Sequence, residues 1–112
     1  MTDDESFAGR GVKIMPDIYA SGVWNQEGVE CCLTSLPIPQ GLRDRIEAWQ
    51  AEYNKLELRW DDGEIVDWRP FGAVGLAIAR QVKAFLPDWT VVYCNEAHYY
   101  RGDGVAYAIT IE

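Results

Sequence analysis

LPIPQGLRDRIEAWQAEYNKL, residues 36–56, is the stretch from which the fold can be read. Pro39 suits the first turn of a helix, where its missing N–H costs nothing. Leu42, Ile46, Trp49, Tyr53 and Leu56 then recur at spacings of four, three, four and three, which is one face of an α-helix. Arg43, Asp44, Glu47, Gln50, Glu52, Asn54 and Lys55 make the polar face. A helix with one apolar stripe needs a surface to lay it on, and the flanking sequence supplies one.

Downstream, Pro70 opens a second helix whose apolar face is Phe71, Val74, Ile78, Val82 and Phe85 and which stops at Pro87. Gly72, Ala73, Gly75, Ala77 and Ala79 make it slim. Residues 88–94, DWTVVYC, read as a strand from their β-branched and aromatic content. A hairpin follows, with arms at 98–101 and 105–111 and a turn at Gly102-Asp103-Gly104. Val105, Tyr107, Ile109 and Ile111 share one face of its last arm. Upstream, residues 12–15 form a short strand broken by Pro16. Residues 20–38 read mostly as loop, with a weak alternation at 29–33 that fits an edge strand, and residues 1–9 as a tail. The expected order is β, α, α, β, β, β. That is an α+β fold, with two helices packed on one face of a mostly antiparallel sheet of about four strands. Residues 1–112 form a single domain in this reading. Its core is expected to hold Leu42, Ile46, Trp49, Ile78, Val82, Val91 and Ile109.

The chain carries 18 acidic and 10 basic side chains, a formal charge of −8. Such a surface repels phosphates, and no basic stripe offsets it, so nucleic-acid binding is not expected. A basic protein would be drawn in quickly. Residues 1–10 are polar and acidic, unlike a signal peptide. No stretch approaches the roughly 18 apolar residues that span a bilayer. Three cysteines, an odd number, suit a reducing compartment, so the expected location is the cytoplasm.

Catalytic and metal chemistry find little footing. Cys31 and Cys32 are adjacent, and neighbours on a strand point to opposite faces. Zinc asks for about four ligands at defined spacing, and only Cys94 and His98 could be added. On one extended strand Cys94 and His98 would stand roughly 13 Å apart, against the ~3 Å of an activated thiol–imidazole pair. Glu96 near His98 and Asp17 after Pro16 have nothing to fix an acid–base geometry. Gly72 and Gly75 lie inside a helical pattern and are no phosphate loop. No metal, cofactor or enzymatic activity is expected.

The segment between the helices is different. Residues 60–68, WDDGEIVDW, set Asp61, Asp62, Glu64 and Asp67 between Trp60 and Trp68. Aromatic anchors ringed by charge are the composition of a protein-binding hot spot, so these six residues are the candidate partner-binding site.

Three segments carry a resemblance: VKIMPDIYASGVW (12–24), LPIPQGLRDRIEAWQAEY (36–53) and GLAIARQVKAFLPDWTVVY (75–93). They resemble a group of small bacterial proteins with an MPDYG…LW start, an LPI…WQ..Y helix and an LPDW.V.Y helix–strand unit. The chain departs from that pattern at Ile18-Tyr19, where the group more often has Tyr-Gly. In size, charge and aromatic content it is also similar to immunity proteins of polymorphic-toxin and contact-dependent growth-inhibition systems. That likeness implies a cognate toxin as partner, expected to be a basic protein of nuclease type whose active site would be sealed by carboxylates. The competing reading is a small enzyme or small-molecule binder with a pocket near Cys94, His98, Tyr99 and Tyr100, and a third is an adaptor without a toxin partner.

Overall fold

The computed structural model describes residues 7–94 and 108–112. Strand β1, Gly11–Ile14, places Val12 and Ile14 inward, both buried. Pro16 lies just beyond it. The chain returns antiparallel as β2, Val23–Asn25, with Ile14 opposite Val23. The turn after β2 is tied by Asn25, whose Oδ1 accepts the N–H groups of Glu27 and Val29, both at 3.0 Å. Two helices follow, α1 at Gln40–Asp61 and α2 at Arg69–Phe85, then β3 at Thr90–Cys94 and β4 at Ala108–Ile111. The sheet order is β2-β1-β3-β4. Both outer pairs are antiparallel and the central β1–β3 pair is parallel. A parallel pair needs a long crossover, and the two helices provide it. The α+β fold expected from the sequence, with a mostly antiparallel four-stranded sheet, is the one found.

The expected loop at 20–38 hides an edge strand. It is β2, not residues 29–33, where Glu30 makes one isolated bridge to Trp24. Three residues carry too little alternation to announce themselves, and pairing with β1 creates this strand. The tail expected over residues 1–9 is also shorter at its inner end, because Phe7 is buried against Trp89 with ring centroids 5.8 Å apart. The hairpin arm at 98–101 and the turn at 102–104 lie outside the described residues.

Of the expected core, Leu42, Ile46, Trp49, Ile78, Val82 and Val91 are buried. Ile109 is not, at 39 % exposed. It stands opposite Tyr93 on β4, the last strand in the sheet order among the described residues. Helix α2 is turned from its expected facing. Its buried residues are Phe71, Gly72, Gly75, Ile78, Ala79 and Val82, while Val74 and Phe85 are exposed. The cause is bulk on the other side. The Trp49 indole stacks on Phe71 at 4.9 Å and donates to the Phe71 carbonyl at 3.2 Å. The Tyr93 hydroxyl donates to the Gly72 carbonyl at 3.1 Å. These rings fill the space that side chains on α2 would need, so the glycine strip turns inward.

Candidate protein-binding surface

Helix α1 runs further than expected and takes in Arg59, Trp60 and Asp61. It ends where Gly63 adopts φ 87, a left-handed conformation that glycine enters without steric cost. The Gly63 N–H donates to the Trp60 carbonyl and the Glu64 N–H to the Arg59 carbonyl, both at 3.0 Å. This is a Schellman termination, which satisfies carbonyls the helix would otherwise leave open. Asp61 and Asp62 therefore stand at the C-terminal end of a helix, where the backbone dipole is already negative.

Beyond the turn the chain alternates. Val66 and Trp68 point inward and are buried, while Ile65 between them and the turn is 95 % exposed. Trp68 sits 5.7 Å from Tyr53 and meets Phe71 edge-on at 5.9 Å. Of the two tryptophans expected as anchors, this one has its ring packed into the core, where it pins the connector. Trp60 keeps an outward surface at 39 % exposure. The carboxylates divide as well. Asp67 holds Arg69 through both oxygens, each at 2.9 Å, and accepts the Arg69 backbone N–H at 3.1 Å. That contact raises the Arg69 pKa. Glu64 lies 3.4 Å from Arg59 in an exposed pair. Asp61 and Asp62 join no ion pair among the described residues. The unspent negative charge is thus at the helix end.

An open groove of about 500 Å³ runs between α1 and α2 beside the connector. Trp49, Leu56 and Phe71 line it with Pro70 and Val74, and Glu52 and Asp67 stand on its edge.

A second feature escaped the sequence reading. Gln50, placed there on the polar face of the first helix, is buried. Its Nε2 donates to the Asp17 carbonyl at 2.6 Å and its Oε1 accepts the Asp17 N–H at 3.2 Å. Asn54 Oδ1 accepts the Tyr19 N–H at 2.9 Å, and the Trp24 indole donates to the Met15 carbonyl at 2.9 Å. The first two motif segments quoted above meet here, because Trp24 and the Trp49-Gln50 helix clasp the Met15-Pro16-Asp17 loop. The clue in the sequence was a glutamine beside a core tryptophan, a position on the border of the apolar stripe.

Cys31 and Cys94 are buried and Cys32 is exposed, and no disulfide joins any two of them. His98, Tyr99, Tyr100 and Glu96 lie outside the described residues, so of the alternative pocket only Cys94 is placed. Among the described residues no group of three or more His, Cys, Asp or Glu side chains could hold a metal ion. No helix there is long and apolar enough to cross a membrane.

Fold and surface together define a small α+β domain with carboxylates at the C-terminal end of α1 that are unpaired among the described residues. The chain belongs to the Serratia CdiI immunity protein-like family, whose model matches residues 10–96. Its class is therefore that of immunity proteins, which act against a cognate toxin. No curated protein matches the chain.

Proposed function

We propose that this immunity protein covers the active site of its cognate toxin, a nuclease, with the acidic end of α1 and the connector. Asp61, Asp62, Glu64 and Asp67 would lie where the phosphates of the toxin's substrate lie, and Trp60 and Ile65 would add apolar contact. One observation carries this reading. Cations stabilise a helix C-terminus, yet here two carboxylates occupy it with no ion-pair partner among the described residues. The sign is wrong for the helix and right for a basic surface. Family membership supports a toxin as the partner, and the net charge of −8 favours a basic one. The protein acts in the cytoplasm by binding, without catalysis or cofactor, and does not itself bind nucleic acid.

The test pairs this protein with its cognate toxin domain and measures association at two ionic strengths. The double variant Asp61→Asn/Asp62→Asn should associate more slowly, with a flatter salt dependence, and should protect cells less. Wild-type rates and full protection would move the interface elsewhere.

A further inference from the structure

We propose that Tyr19 is an aromatic anchor of the toxin-binding surface and that the loop around it is built to hold its ring outward. This rests on the reading that the acidic end of α1 meets a basic toxin.

Tyr19 has φ 56 and is 76 % exposed. Bulky L-residues rarely adopt that conformation, and where they do the surroundings must impose it. The surroundings here are explicit. Gln50 grips both backbone groups of Asp17. The Asp17 carboxylate accepts the Ile18 N–H at 2.8 Å, and Asn54 takes the N–H of Tyr19 itself. Gln50 also donates to Asn54 Oδ1 at 3.1 Å, so one linked set of side chains fixes the turn. A buried amide is thereby committed to a loop that presents Ile18, 40 % exposed, and Tyr19 to solvent. A ring held in place before binding loses little entropy on contact, which is what an interface anchor requires.

The position fits the same partner. Asn54, Leu58 and Asp61 follow one another along a single stripe of α1, and Leu58 is 52 % exposed. The rise from Asn54 to Asp61 is roughly 10 Å, well within one interface of ordinary size. Asp17 at one end and Asp61 and Asp62 at the other give the strip an acidic character complementary to a basic protein. The fitting occupant is a toxin surface with an apolar recess for the ring and cations around it.

The probe is the cognate toxin domain, in catalytically inactive form. Tyr19→Gly removes the ring and relaxes the backbone together. The expected result is an unfolding midpoint equal to or above wild type, with dissociation from the toxin faster by roughly tenfold or more. Tyr19→Asn, which also tolerates this conformation, should behave alike. A wild-type dissociation rate in both variants would overturn the proposal, as would a lowered midpoint in both, which would make the ring a structural element. The double variant Asp61→Asn/Asp62→Asn separates this from the reading beneath it. Slow association there with unchanged dissociation in Tyr19→Gly removes Tyr19 and keeps the acidic end. The reverse pattern keeps Tyr19 and removes the acidic end.

Discussion

Gly75 on α2 faces Tyr93 on β3 so closely that a methyl group at Gly75 would lie 2.7 Å from the Tyr93 ring and 2.6 Å from Trp49 Cζ2. Both neighbours are buried aromatic rings, which cannot swing aside as a surface side chain could. In an exposed helix, alanine would be worth about 1 kcal/mol more than glycine. Here overpacking, typically ~1–3 kcal/mol, opposes it and should win. Gly75→Ala is expected to lower the midpoint of chemical unfolding. A raised midpoint would mean that helix and sheet do not approach this closely.

The turned facing of α2 makes a contrast measurable in the same assay. Ile46→Ala and Ile78→Ala should each cost roughly 2–5 kcal/mol, from lost transfer energy plus a cavity. Phe85→Ala, on the side that a reading of apolar spacing turns inward, should stay within about 0.5 kcal/mol of wild type. Equal losses at Ile78 and Phe85 would restore the facing inferred from spacing alone.

The Gln50 clasp is testable by itself. Gln50→Leu keeps the bulk but leaves the N–H and carbonyl of Asp17 without their side-chain partners. The expected loss is about 1–3 kcal/mol, with faster hydrogen exchange at the amides of Asp17 and Tyr19. Exchange at wild-type rates would show that the loop holds its shape without the clasp.

At the end of α1, stability and binding should part. Replacing Asp61 and Asp62 by Asn removes negative charge from a helix C-terminus. The variant should gain about 0.3–1 kcal/mol per site at low ionic strength, and the gain should fade as salt is added. A stabilised protein that captures its toxin more slowly would show these carboxylates to be kept for the partner. A destabilised one would show that they hold the helix end in place.

What the sequence by itself determined is whatever depends on local period. The stripe from Leu42 to Leu56 marks α1 because every contact it predicts lies on one helical face. Residues 90–94 form a strand for the same kind of reason. The acidity of the connector was equally legible, since charge is a property of composition. Tertiary structure decided the rest. Helix α2 turns on the volumes of Trp49 and Tyr93, which no periodicity within α2 records. Trp60 and Trp68 look alike in the chain, but only Trp68 finds Tyr53 and Phe71 around it. Tyr19 takes its left-handed conformation in a loop whose backbone is held from a distance, at Asp17 by Gln50, 33 positions away, and at Tyr19 itself by Asn54, 35 positions away. Where a conformation is imposed by groups that distant, the local sequence carries no trace of it.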